Sequence, residues 1–336
     1  MPFIVPQGAL PRPLPGYNQN PVYHQPPPAA PIHLSGSLLL QPGTSGSVQP
    51  SVMTNPMGQD MEVTELKFQL LSLGNSGFAL DAVLGASIAV ELKLGNYKLT
   101  NGAVPVFSLG RAENLTAEYA TLASLNLYNT FSWRLPRPMF VPAGATVIAN
   151  FTHTGLIALP INVRFSMSAR SLFIKPKVVC LPWASAFTSK VFNPLTTAGT
   201  DQSGHVDLVN DSTGFEGAAQ ILKVQRFVGR AIVIQSGDHA YEGPTFGAAF
   251  REDGLTVRMM DSYGRPTVRY YTPFTSVFSG LTRSWELEGS GVELDPGAYY
   301  LALLKSAALP GIGGFGYTGI QGQAFISLIG WREVAL

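Results

Sequence analysis

One unit of strand, break and turn occurs twice, and it constrains the fold more than any other stretch. Phe131-Ser132-Trp133-Arg134-Leu135 runs through Pro136-Arg137-Pro138 to Phe140-Val141-Pro142-Ala143-Gly144. Arg283-Ser284-Trp285-Glu286-Leu287 leads in the same way to Val292-Glu293-Leu294-Asp295-Pro296-Gly297. Each copy holds a Ser-Trp-x-Leu strand, a short break, an apolar pair and a Pro/Gly turn. A new apolar strand follows at 146–151 in one copy and 299–304 in the other. A unit of this kind buries its apolar face only against other strands, so its recurrence implies two related β-domains.

The rest of the chain fits that reading. Residues 64–72 alternate apolar and polar, as a half-buried strand does. In 86–94 the residues Ile88, Val90, Leu92 and Leu94 face one way and Ser87, Ala89, Glu91 and Lys93 the other. Short strands are expected at 97–99 and 104–109, and a regular one at 161–168. Residues 111–128 carry a helical stripe of Leu115, Tyr119, Leu122 and Leu125; the rival reading is a loop before a strand at 124–127. In the second half, strands are expected at 219–227, 231–235, 245–250, 255–260, 267–271, 276–278 and 323–331, the last preceded by a Gly-rich loop at 310–322. Residues 173–181 resemble a strand and 182–213 a long polar loop. With 35 Gly and 26 Pro to form tight turns, the pattern predicts an all-β chain of two tandem antiparallel β-sandwiches of jelly-roll type.

The first 59 residues stand apart. They hold half of the 26 prolines and one charged residue, Arg12, with histidine counted neutral. Pro11-Arg12-Pro13-Leu14-Pro15 and Pro26-Pro27-Pro28 favour polyproline II. Phe3, Ile4, Val5, Tyr17, Tyr23 and Leu38-Leu39-Leu40 make the segment less polar than an ordinary solvated tail. The expected division is an extended Pro-rich arm at 1–59, a first jelly roll at 60–175, an inter-domain connection at 176–216 and a second jelly roll at 217–336.

No residue set carries chemistry. Net charge is +1, so no global field draws nucleic acid or an acidic membrane. The charged share, 13%, is about half the usual. Either partners cover much of the surface, or the chain is simply short of charge. Cys180 is the one cysteine, which excludes an internal disulfide, and it reads as a small hydrophobe. His24, His33, His153, His205 and His239 show no metal-ligand spacing. Asp201, His205 and Asp207 sit close together in a polar loop, where such residues are usually solvated. Gly311-Ile312-Gly313-Gly314-Phe315-Gly316 lacks the Lys-Ser/Thr and the following helix of a phosphate loop. Tyr270, Tyr271, Phe274 and Phe278 with Arg265 and Arg269 are suited to stacking bases or sugars, but at alternating strand positions such residues are more often core and edge residues. Trp133 and Trp285 read as core residues. No apolar run is long enough to span a bilayer. No catalytic, cofactor-binding or metal residue is assigned, no cofactor is expected, and the chain is not expected to be an enzyme.

Two sandwiches, an uncharged arm and no reactive constellation resemble the double jelly-roll major capsid proteins of tailless icosahedral bacteriophages. Residues 133–151 with 161–168, and 285–304 with 323–331, carry the resemblance. It implies a virion structural protein whose copies assemble as trimers into an icosahedral shell, the arm tying neighbours together. Its partners would be copies of itself and other virion proteins, with non-specific contact with packaged nucleic acid left open. The alternatives are an auxiliary virion protein (decoration, spike or tail appendage) and a carbohydrate-binding β-sandwich protein.

Overall fold

Strands whose residues alternate between a buried and a wetter side pair into sheets, and the sheets close over the buried side. The structure, a computed structural model, describes residues 31–48, 60–72, 81–112, 129–156, 158–172, 175–189, 205–209, 221–235, 239–241, 255–278, 284–287, 291–306 and 321–335. In the first half lie β1 (Pro31–Leu40), β2 (Ser45–Val48), β3 (Met61–Ser72), β4 (Ile88–Leu94), β5 (Tyr97–Lys98), β6 (Thr100–Asn101), β7 (Val104–Pro105), β8 (Arg111–Ala112), β9 (Asn129–Val141), β10 (Val147–His153) and β11 (Ile161–Ser171). The second half holds β12 (Val178–Thr188), β13 (His205–Val209), β14 (Leu222–Gln235), β15 (His239–Tyr241), β16 (Leu255–Asp261), β17 (Pro266–Pro273), β18 (Ser284–Glu286), β19 (Val292–Leu294), β20 (Tyr299–Ser306) and β21 (Gln321–Ala335). Among the described residues three short helices, α1 (Asp81–Ser87), α2 (Val106–Leu109) and α3 (Phe274–Val277), interrupt them.

Each half is a jelly roll. In the first, β1-β11-β3-β9 form the large layer and β2-β10-β4-β5 the small one. In the second, β12-β21-β14 with β18 and β19 form the large layer, and β13-β20-β16-β17 the small one. The strand order is the same in both, with β18 and β19 together in the place of β9 and β15 added beside β14. The two large layers belong to one 12-stranded sheet. The first core centres on Phe68, Phe151 and Phe165, with Phe68 and Phe165 stacked at 5.3 Å between centroids. The second centres on Phe227, whose ring meets Tyr300 edge-on at 5.0 Å.

The repeat seen in the sequence is a structural equivalence. Trp133 on β9 lies opposite Leu66 of β3, and Trp285 on β18 lies opposite Phe227 of β14. β3 and β14 carry a bulge at the same place, at Thr64 and at Gln225. The turns that follow are alike too. Ala145 N–H donates to Pro142 O and Ala298 N–H to Asp295 O, both at 3.0 Å. The third residue of each turn is a glycine with positive φ, 79° at Gly144 and 78° at Gly297, a conformation that costs other residues a backbone clash.

Several expectations are corrected. Residues 31–48 are not arm: β1 pairs with β11 along its whole length and β2 with β10. The expected connection at 176–216 contains β12, paired with β21 from Val178 to Thr188, and β13. So each jelly roll begins earlier than expected, by its first two strands. The strands expected at 104–109 and 276–278 are largely helical turns, α2 and α3, because Pro105 and Pro273 end the preceding strands and start a turn. The segments expected at 219–227 and 231–235 are joined in one strand, β14. Arg111–Ala112 is strand rather than helix. The rest of 111–128, the arm at 1–30, the strand at 245–250 and the glycines at 311–316 lie outside the described residues.

The two tryptophans differ in burial. Trp133 is fully buried and Trp285 only half-buried. Trp133→Ala is expected to lower stability by about 3–5 kcal/mol and Trp285→Ala by clearly less, read from denaturant midpoints of the two variants. Equal losses would contradict this placement.

Candidate functional site

Alternate residues of a large sheet point to opposite faces, so each sandwich has an outer face that must be wet or covered. In the second sandwich it is covered. Along β14, Val224, Phe227 and Ala231 enter the second core, while Val228 joins the first. Along β21, Ala324, Ile326 and Leu328 enter the second core, while Phe325 and Ile329 join the first. What covers them is the corner of the first sandwich where β7 turns into α2. Phe107 meets Phe325 edge-on, 4.9 Å between centroids.

Arginines fasten the corner. Arg226 Nη2 reaches Leu109 O at 3.5 Å and Arg230 Nη2 reaches Gly110 O at 3.4 Å. Arg332, fully buried, donates to Lys98 O at 2.5 Å and lies over the Trp183 ring at 4.3 Å. Burial pushes the Arg226 guanidinium down from its usual value, and Glu286, 3.7 Å away, opposes the shift. Gly110 packs so closely on Ser132 that a Cβ there would sit 2.2 Å from its carbonyl oxygen.

Strand pairing crosses the seam as well. β6 runs parallel to β12, Thr100 opposite Ala184 and Asn101 opposite Ser185, and Ala184 N–H donates to Leu99 O at 3.1 Å. Cys180 of β12 lies opposite Met139 of β9. Its thiol is half-buried, and desolvation pushes its pKa up, as befits a packing residue. At the rim, Arg137 lies 5.5 Å from the Trp331 centroid and 3.9 Å from Glu333, which also meets Lys223 at 3.3 Å.

The other candidate residues do not converge. Phe274 and Phe278 are buried in the second core, 4.7 Å apart. Tyr270, 72% exposed, and Tyr271 stand on β17, at the edge of the small sheet, with Arg269 lying 5.8 Å from the Tyr270 ring centroid. Arg265 is drawn instead to Asp261 at 2.6 Å. His153 is buried and bonded within its own loop, to Leu159 O at 3.0 Å and to Gly155 N–H at 3.1 Å. His33 is exposed on β1. His205 and Asp207 lie on β13, while Asp201 lies outside the described residues. Among the described residues no group of three or more His, Cys, Asp or Glu is placed to hold a metal ion, and no helix is long and apolar enough to cross a membrane. The seam carried no motif that sequence reasoning used. Pro105 before Phe107 and Pro273 before Phe274 are no distinguishing signal, since Pro138-Met139-Phe140 and Pro244-Thr245-Phe246 have the same look.

No family model matches the chain, and no curated protein matches it in sequence. Solved structures do. A chain of the Sulfolobus Turreted Icosahedral Virus is 13% identical with a TM-score of 0.47, over 90% of this chain and 90% of its own. The STIV MCP is 12% identical with a TM-score of 0.44, over 89% of this chain and 96% of its own. The major capsid protein P2 from bacteriophage PM2 is 11% identical with a TM-score of 0.40, over 90% of this chain and 98% of its own.

Two outcomes are expected for the seam. Phe107→Ala removes the ring that joins the two cores, and is expected to cost about 3–5 kcal/mol and to split one unfolding transition into two in calorimetry. Acid should loosen the rim. Burial raises the Glu333 carboxyl, but a hydrogen bond from Lys223 and the charges of Lys223 and Arg137 outweigh it and hold its pKa below the usual carboxylate value. A depressed folded-state pKa contributes stability above the unfolded value and loses it as pH falls through the folded one. Glu333→Gln should therefore flatten the acid limb of the stability-versus-pH curve and leave the alkaline limb unchanged.

Proposed function

We propose that this chain is a virion structural protein, a major capsid protein whose copies assemble as trimers into an icosahedral shell. The observation that carries the reading is the seam, which is heterologous. The corner of one jelly roll sits on the large sheet of the next, and the two surfaces differ. A contact of this kind leaves one unused half at each end of the chain. The second sandwich has its own corner, at Pro273 and α3, and the first has its own large-sheet face. Repeating the contact from chain to chain makes a ring when the rotation closes. Three chains supply six jelly rolls, a near-hexagonal tile that packs side by side into a shell.

Composition agrees with burial in such an assembly. Charged residues make up 13% of the chain, and a shell subunit hides much of its lateral surface against neighbours. Residues 1–30, with their prolines, serve as the arm that ties one tile to the next. The prolines lower the entropy lost when such an arm is pinned. Other virion proteins meet the shell, and a near-neutral chain limits nucleic-acid contact to local patches.

Light scattering on the purified chain tests the reading. A trimer mass, with closed particles at higher concentration, is expected; a monomer at every concentration overturns it. A copy number of a few dozen per particle would move the protein to a decoration or appendage role. Deleting residues 1–30 should keep the melting transition and stop closed particles from forming. Deleting 1–48 should also remove β1 and β2 and unfold the first sandwich, seen as lost near-ultraviolet circular dichroism.

A further inference from the structure

The seam also states how two copies would touch. β12 is the first strand of the second jelly roll and has neighbours on both sides, β21 on one and β6 with β9 on the other. Its equivalent in the first jelly roll is β1, which ends the large sheet and pairs only with β11 among the described residues. The strand that fills the gap at β12 is β6, part of a bulge between β5 and β7, whose pairing to β4 resumes at Val104. The equivalent strand, β17, bulges at the same point. Between Val268 opposite Met259 and Thr272 opposite Val257, the residues Arg269, Tyr270 and Tyr271 stand opposite Arg258 alone. β17 also ends its sheet, with no strand on its outer side among the described residues.

The equivalence can be read residue by residue. Pro105 and Pro273 precede α2 and α3 with nearly the same backbone, φ −56° and ψ 130° against φ −51° and ψ 131°. Leu92 and Met259 are level in their strands; Leu99 N–H donates to Leu92 O and Val268 pairs with Met259, which sets Thr100-Asn101 level with Arg269-Tyr270. On the receiving side, the shared bulge aligns Glu65 with Arg226, and so Ser168 with Ile329. That sets Ala184-Ser185 level with His33-Leu34. We infer that β17 of one copy lies parallel to β1 of a second copy, with Arg269-Tyr270 beside His33-Leu34, as β6 lies beside β12 within the chain. This rests on the self-assembly reading and names its contact.

The open surface is more polar than the seam. The outer face that receives the corner within the chain is apolar and cationic at Val228, Phe325, Ile329 and Arg226. The aligned positions of the first sandwich are Lys67, Arg164, Ser168 and Glu65. The open face is thus polar where the seam is apolar, and the edge that would lie beside β1 carries the exposed Arg269 and Tyr270. A contact that forms and dissolves between separate chains is expected to be more polar than one buried for good.

A cross-link tests this. In a Cys180→Ser background, His33→Cys and Arg269→Cys are joined by a short bis-maleimide, and products are read on a denaturing gel. Linked species up to the trimer and none beyond are expected. A control pair, Arg269→Cys with Lys93→Cys, should give none. Chains that form trimers by light scattering but do not cross-link through the first pair overturn this contact and leave the shell reading standing. Equal linking through the control pair overturns it too. Chains that never leave the monomer overturn both.

Discussion

A β-sheet buried on one side must still dispose of its other side, and the second jelly roll disposes of it badly on its own. Val228, Phe325 and Ile329 lie on its outer face. Left in water they would forfeit about 1.5–3 kcal/mol each. The first jelly roll removes them from water by seating Phe107 and its corner among them. Arg226, Arg230 and Arg332 are carried into the same seam, and backbone carbonyls of residues 98, 109 and 110 receive them. Buried cations are tolerated when such acceptors face them. The rest of the architecture follows, since the shared sheet, the parallel pairing of β6 with β12 and the direction of the contact all require the corner to sit there.

The two jelly rolls solve one local problem with opposite charges. On the first, Glu65 of β3 faces Arg134 of β9 at 3.6 Å; on the second, Arg226 of β14 faces Glu286 of β18 at 3.7 Å. These are the same positions beside the same tryptophans, with acid and base exchanged. The exchange matters because the inner end of each pair looks out from its large sheet. Within the seam a cation is needed there, to meet carbonyl oxygens. On the open face Glu65 takes a hydrogen bond from Ser132 and the charge of Lys67 instead.

Much of this was legible in the sequence, and the misses share one cause. The strand pairs around Trp133 and Trp285 were readable because each alternates cleanly and ends in a Pro/Gly turn. The first two strands of each jelly roll were not, apart from the start of β12 at 178–181. β1 buries few of its side chains, chiefly Leu34 and Leu40, so its pattern looks like the Pro-rich segment before it. β12 fails in the opposite way. It is buried on both faces by the seam, so Val179, Leu181, Trp183 and Ala184 show no alternation, and Pro182 reads as a break. A strand with one face wet declares itself; a strand at the edge, or sealed on both sides by another domain, does not. The seam was illegible for the same reason, being made of Phe107, Val228 and Phe325, which look like ordinary core.

Between the last strand of the first jelly roll and the first strand of the second, only residues 172–177 intervene. A tether so short holds the two surfaces of the seam at a high effective concentration, on the order of millimolar or above. The seam therefore forms at any dilution, and the two jelly rolls are always present in equal number and fixed order. A contact of similar shape between separate chains has no such tether. It answers to the amount of protein present, so the cell sets when it forms, while the gene has already settled the other.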